Sequence, residues 1–191
     1  MRVIGGAARG MKLHSPKGTE VRPMLDRVKE ALFNILADRF AGASVLDLFA
    51  GTGSLGIEAL SRGAEHVVFV ERDRVCVESI ERNLEHTRFQ DRADIIRHDA
   101  LRSLPRIQKL ERAFDIVFID PPYAMTATQA AMQPLERTLK AMDEKDLFAP
   151  EAVLMIHHGR RVFVLSPDLP FEIFDERWYG TSGLALLRLA Q

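Results

Sequence analysis

Four apolar runs, each stopping at an acid, constrain this chain more than any other feature. They are "SVLD" ending at Asp47, "VVFVE" at Glu71, "DIIRHD" at Asp99 and "DIVFID" at Asp120. Short, nearly continuous apolar runs are the pattern of strands buried on both faces. Between them lie stretches with helical spacing: "SLGIEALSRG", closed by Gly63, "RDRVCVESIERNLEHT", and a short helical piece near Leu101–Leu104. After the fourth run come "TATQAAMQPLERTLKAMDEKD", mostly helix with Pro134 as a kink or late start, then the strand "EAVLMIHH". "FEIFDERWYG" and "GLALLRL" read as a closing pair of strands. Strand–helix alternation implies a parallel sheet with helices on both faces. It sets the four acids along the carboxyl edge, where open α/β sheets bind ligands.

The first strand runs into "VLDLFAGTGSLG", with Gly51, Gly53 and Gly56 in the pattern G-x-G-x-x-G before a helix. Such glycines permit a tight turn and close approach of a ligand to the backbone. Glu71 follows Gly51 by 20 residues, at the end of the next strand. An acid there can accept from both hydroxyls of a ribose, so a nucleoside-containing cofactor is expected. The glycine pattern alone fits a nicotinamide oxidoreductase equally well. Three features favour S-adenosylmethionine. Asp47 lies inside the first strand, where it can meet the cofactor's amino-acid end. Little chain remains for the second domain a dehydrogenase usually carries. And the fourth strand ends in Asp-Pro-Pro-Tyr. Asp99, with Ala100 beside it, is placed to receive the adenine amino group. Arg72 follows the ribose acid and completes the expected cofactor set.

"DPPY", Asp120–Pro121–Pro122–Tyr123, suits an exocyclic amine on a nucleobase. That nitrogen is a poor nucleophile because its lone pair is delocalised into the ring. Acceptors held out to its two hydrogens favour the tetrahedral geometry that attack requires. Asp120 can supply one and the carbonyl of Pro121 the other. Each proline fixes its own φ and restricts the residue before it, so the acceptors are held in place. Tyr123 can stack on the base, worth about 1–3 kcal/mol. A surface turn is the bland reading of an Asp-Pro pair, but here the tetrapeptide ends a buried strand beside a cofactor loop.

Before the first strand, "RVI" and "MKLH" flank "GGAARG" as a hairpin, and a helix is predicted from about Met24 to Arg39. Residues 1–40 carry eight basic and four acidic side chains, a net of +4, and the remainder is −5. That asymmetry suggests a polyanion-binding patch, with Arg9, Lys12, Arg22 and Arg27 as candidate contacts. The expected organisation is a basic extension over 1–40 and a catalytic domain over 41–191. A chain of 191 residues buries roughly 70% of its unfolded surface and needs no staples. Cys76 is the single cysteine, so no intrachain disulfide forms and a cytoplasmic location is expected. No apolar run suggests a signal peptide or a membrane span, and no metal site is expected. The lack of a Pro-Cys dipeptide argues against the cysteine route of C5-pyrimidine methylation. His157 and His158 are adjacent, so in a strand they point to opposite faces and read as structural or surface residues. Trp178 and Tyr179 could stack on RNA or be buried at the C-terminal edge.

"VLDLFAGTGSLGIEALSRGA", "VFVERD", "HDA" and "FDIVFIDPPY" resemble the class I S-adenosylmethionine-dependent methyltransferases. "RVIGGAARGMKL", "RPMLDRVKEALFNIL" and the terminal "WYGTSGLALLRL" narrow the resemblance to the RsmD family, which modifies guanine N2 in 16S ribosomal RNA. The resemblance implies a Rossmann-like seven-stranded sheet whose last strand is antiparallel, with an N-terminal hairpin and helix extension. It implies methyl transfer to one guanine of the small ribosomal subunit or an assembly intermediate, by a monomer. Asp120, Pro121, Pro122 and Tyr123 match the catalytic tetrapeptide, and Asp47, Gly51, Gly53, Glu71 and Asp99 match cofactor positions. The chain departs at His157-His158, where members often read Glu-His, so no acidic role carries over to position 157. The alternatives are an adenine-N6 DNA methyltransferase with the same tetrapeptide, an NAD-dependent oxidoreductase, and a non-catalytic assembly factor.

Overall fold

A computed structural model describes residues 1–16, 24–159 and 165–190. After the N-terminal segment come α1 (Asp26–Ile35), β1 (Ser44–Asp47), α2 (Ser54–Ser61), β2 (His66–Glu71) and α3 (Arg74–Thr87). Then follow β3 (Ala93–Arg97), α4 (Leu104–Gln108), β4 (Phe114–Ile119), α5 (Gln129–Asp143), β5 (Phe148–Gly159), β6 (Phe171–Tyr179) and β7 (Ser182–Leu189). The strands form one seven-stranded sheet in the order β3-β2-β1-β4-β5-β7-β6. Strands β1 to β5 pair in parallel. Strand β7 runs antiparallel to both β5 and β6, as the resemblance implies.

Alternation along the strands divides the apolar residues between two cores. Val45, Phe69, Ile116, Phe118 and Met155 face one, with α1, α2 and α3. Leu46, Val68, Val70, Val117 and Leu154 face the other, with α4 and α5. This period of two explains why the strands read as unbroken apolar runs. Strand order reverses between β1 and β4, which opens a crevice at their carboxyl ends.

The N-terminal segment closes as the expected hairpin, with Val3 N–H donating to the Met11 carbonyl, Gly10 N–H to the Val3 carbonyl and Leu13 N–H to the Met1 carbonyl. Its one antiparallel bridge joins Arg2 and Lys12. The outward N–H groups instead donate to α2: Ile4 and Gly5 to the Glu58 carboxylate, Ala7 to the Ser61 carbonyl, and Ala8 to Ser61 Oγ. Val3, Ala8 and Leu13 join the core beneath. The helix predicted to Arg39 ends at Ile35 and continues as a 3-10 turn over Ala37–Arg39. This brings Phe40 back to stack on Phe33 at 4.9 Å. The piece near Leu101 resolves into a 3-10 turn at Ala100–Arg102 and the short α4. Pro134 sits inside α5, which starts earlier, at Gln129, with the Thr128 side chain accepting from Ala131 N–H. Among the described residues, no helix is long and apolar enough to cross a membrane.

Candidate active site

The glycine loop turns between β1 and α2 with Gly51 at φ 55° and Gly53 at φ 80°, a region that disfavours other residues. At Gly56 the need is space: a Cβ would lie 2.2 Å from Phe69 Cε1. Helix and sheet therefore pack closely behind the loop.

Three of the four strand-end acids are held by backbone N–H groups. Asp47 is only 1% exposed, and its Oδ2 accepts from Gly56 N–H at 3.0 Å. Its Oδ1 has no hydrogen-bond partner among the described residues. Burial, reinforced by the nearby Asp120 and Glu71 carboxylates and opposed by the Gly56 N–H, pushes Asp47 up to about 7. Glu71 accepts from Gly51 N–H through Oε2, and from Arg72 and Asp73 N–H through Oε1, each at 2.8 Å. A carboxylate has about four lone-pair sites, so one remains for a ribose hydroxyl. Asp99 accepts from Leu101 N–H at 2.9 Å, and Arg72 reaches its other oxygen at 3.6 Å. Ala100 beside it is buried. The structure thus gathers Asp47, Gly51, Gly53, Glu71, Arg72, Asp99 and Ala100 along the carboxyl ends of β1, β2 and β3. An orphaned buried carboxylate oxygen and a row of acids fit the ammonium and hydroxyl groups of S-adenosylmethionine.

Asp120 follows β4, across the crevice from Asp47. Its Oδ1 lies 2.7 Å from His157 Nδ1. Pro121 is buried and Pro122 exposed. Tyr123 is 45% exposed, with its hydroxyl 2.8 Å from Ser182 Oγ and 3.5 Å from His157 Nε2. Its ring meets the His157 ring edge-on at 5.5 Å. His157 was expected to be structural or superficial; it instead bonds the acid of the tetrapeptide. Neither His157 nor Ser182 lies near Asp120 in sequence, and only the β4–β5–β7 pairing brings them together. His158 points the other way, as adjacent strand residues must. It meets Trp178 edge-on at 5.1 Å and Glu176 at 3.5 Å. Trp178 is exposed, whereas Tyr179 packs against the core. Cys76 is buried, which pushes its thiol up to about 11.

The three described basic candidates sit on different parts of the fold. Arg27 lies in the first turn of α1, its guanidinium beside Gly180 in the turn that leads to Ser182. Lys12 is exposed opposite Arg2. Arg9 is exposed at the loop tip, next to Ala8, which bonds Ser61 at the far end of α2. That is about 12 Å of helix from the glycine loop. Arg22 lies outside the described residues.

This sheet order, with its glycine loop and an Asp-Pro-Pro-Tyr corner at the switch point, defines a class I methyltransferase. Within that class, the chain belongs to the family described as Conserved hypothetical protein 95, matched over residues 1–188. It is 37% identical over 193 residues to YlbH of Bacillus subtilis, covering 98% of each chain. It is 32% identical to "Ribosomal RNA small subunit methyltransferase D" of Haemophilus influenzae, covering 100% of this chain and 93% of that one. The solved structure of yhhF from Escherichia coli superposes with a TM-score of 0.80 at 31% identity, covering 100% and 99% of the two chains.

Proposed function

We propose that the protein transfers a methyl group from S-adenosylmethionine to the exocyclic N2 of one guanine in 16S ribosomal RNA. The observation that carries this reading is the Asp120–Tyr123 corner, held at the carboxyl end of β4 beside a crevice lined by Asp47, Glu71 and Asp99. Bound S-adenosylmethionine would supply a methyl group whose bond to sulfur breaks with both electrons left on sulfur. Glu71 would take a ribose hydroxyl, Asp99 the adenine amine, and Asp47 the ammonium of the amino-acid end. Asp120 and the Pro121 carbonyl would accept from the two hydrogens of the target amine, and Asp120 or water would take the departing proton. Tyr123, exposed on one side and anchored through its hydroxyl, would stack on the extruded base.

In this reading residues 1–40 face RNA through Arg9, Lys12, Arg22 and Arg27, and residues 41–191 carry the chemistry. The name of the Haemophilus influenzae relative supports a small-subunit substrate. The protein would act as a cytoplasmic monomer on the subunit or an assembly intermediate. The test is incubation with methyl-labelled S-adenosylmethionine and small subunits lacking the native modification, followed by nucleoside analysis. Label in N2-methylguanosine that disappears in Asp120→Ala is expected. Label in duplex DNA with RNA inert would instead support the adenine-N6 alternative and overturn the proposal.

A further inference from the structure

The four strand-end acids are not held alike. Asp47, Glu71 and Asp99 each accept from backbone N–H groups. Asp120 is followed by Pro121 and Pro122, neither of which has an N–H to give. The prolines fix the backbone corner but leave the carboxylate free to rotate about its own side-chain torsions. Among the described residues, the one donor that reaches it is His157 Nδ1, at 2.7 Å, from a ring only 6% exposed.

We propose that His157 is a positioning residue that fixes both the Asp120 carboxylate and the Tyr123 ring for transfer. This rests on the methyltransferase reading above. An ionised carboxylate only accepts, so Nδ1 carries the ring hydrogen and, in a neutral ring, Nε2 is the acceptor. That nitrogen faces the Tyr123 hydroxyl, which is held more closely by Ser182 Oγ. The chain Asp120–His157–Tyr123–Ser182 therefore links β4, β5 and β7. It occupies Oδ1 and keeps Oδ2 for the target amine. His157 takes no proton from the reaction, because its Nδ1 already holds one toward Asp120. It touches neither substrate nor cofactor in this role and acts through the two residues that do.

The experiment compares wild type, His157→Phe and His157→Asn in single-turnover transfer to small subunits, with calorimetric titration of S-adenosylhomocysteine. Phenylalanine keeps ring volume and loses both nitrogens. Asparagine keeps an N–H donor near the Nδ1 position. A loss of order is expected to cost His157→Phe about 100-fold in transfer rate. Product affinity and melting temperature should stay near wild type, and His157→Asn should recover most of the rate. Nitrogen-15 spectra of labelled histidine provide a readout without turnover: wild type should show protonated Nδ1, and Asp120→Ala should shift that signal. A wild-type rate in His157→Phe would overturn the proposal. So would His157→Asn performing no better than His157→Phe, or rate, product affinity and stability falling together. Wild-type protein that binds cofactor but labels no RNA would overturn the function itself, and this role with it. An active wild type with an equally active His157→Phe overturns this role alone.

Discussion

Replacing Glu58 by glutamine isolates a buried polar junction between the N-terminal segment, α1 and α2. Glu58, fully buried on α2, receives four donors. Ile4 N–H and Lys29 Nζ reach Oε2 at 2.8 and 3.1 Å, and Gly5 N–H and Arg62 Nε reach Oε1 at 2.8 and 3.0 Å. Glutamine turns one acceptor oxygen into an amide donor, so two of the four donors lose their partner and face another N–H. It also leaves Lys29, 1% exposed, without its counter-charge. Removing one partner of a buried pair costs about 3–5 kcal/mol. For a chain of this size, each kcal/mol lowers the melting temperature by about 2–4 °C, so a fall of about 6–20 °C is expected. Lys29→Met should be milder, about 1–2 kcal/mol. Glu58 keeps Arg62 and two backbone donors, and the variant removes a cation whose burial already lowers its pKa. The double variant should recover only part of the Glu58→Gln loss, because either Ile4 or Gly5, whichever faces the amide nitrogen, still lacks an acceptor. Urea unfolding followed by circular dichroism measures all three. Lys29→Met proving as costly as Glu58→Gln would refute the assignment of the carboxylate as the organising group.

Asp47 has a folded value of about 7, raised from 3.8 by burial and by the Asp120 and Glu71 charges, against the Gly56 N–H. A raised carboxylate stabilises the fold below its unfolded value and loses that contribution as pH climbs toward the folded one. Wild type should therefore lose about 4 kcal/mol between roughly pH 4 and pH 7 from this group. Asp47→Asn should flatten that part of a urea-midpoint profile, and parallel profiles would contradict the assignment. Asn83 joins the N-terminal segment to the glycine loop, accepting from His14 N–H and donating to the His14 and Thr52 carbonyls. Asn83→Ala should cost about 1–3 kcal/mol and weaken S-adenosylhomocysteine binding; calorimetry at unchanged affinity would deny the link to the loop. Neutralising Arg9, Lys12 and Arg22 together should weaken RNA binding and reduce its salt slope by about 0.7–0.9 per lost phosphate contact. Filter binding with an unchanged slope would remove these residues from the interface.

The sheet was legible because its signals are local. Apolar runs, helical spacing and the glycine spacing each sit within about a dozen residues, whereas the antiparallel last strand comes only from the resemblance. The N-terminal hairpin is legible from its glycine-containing turn, but its docking is not, because the hydrogen bonds to α2 join residues more than 50 apart. Lys29 is one of the eight basic side chains of residues 1–40, yet it sits on the helical face of Val28, Leu32 and Phe33. A lysine on an apolar stripe is a signal of a buried partner, and Glu58 inside the apolar "SLGIEAL" is its match. Glu71 was read only as a ribose ligand. Its three backbone donors also make it the brace of the glycine loop.

His157 carries the same lesson for the site. An acid at a strand end is normally steadied by the N–H groups that follow it. Two prolines after Asp120 remove those groups, so the rigid corner that fixes the backbone forces the side chain to find its donor elsewhere. In a sheet of this order, the carboxyl end of β4 lies beside the carboxyl end of β5, which pairs with it from Ile116–Val153 to Ile119–Ile156. The residue after Ile156 is therefore level with Asp120, and it is His157. The departure from Glu-His thus puts a donor where an ionised glutamate could only accept. The Pro-Pro corner and the histidine are complementary constraints, one on the backbone and one on the carboxylate. A change in either should be felt at the amine they are placed to orient.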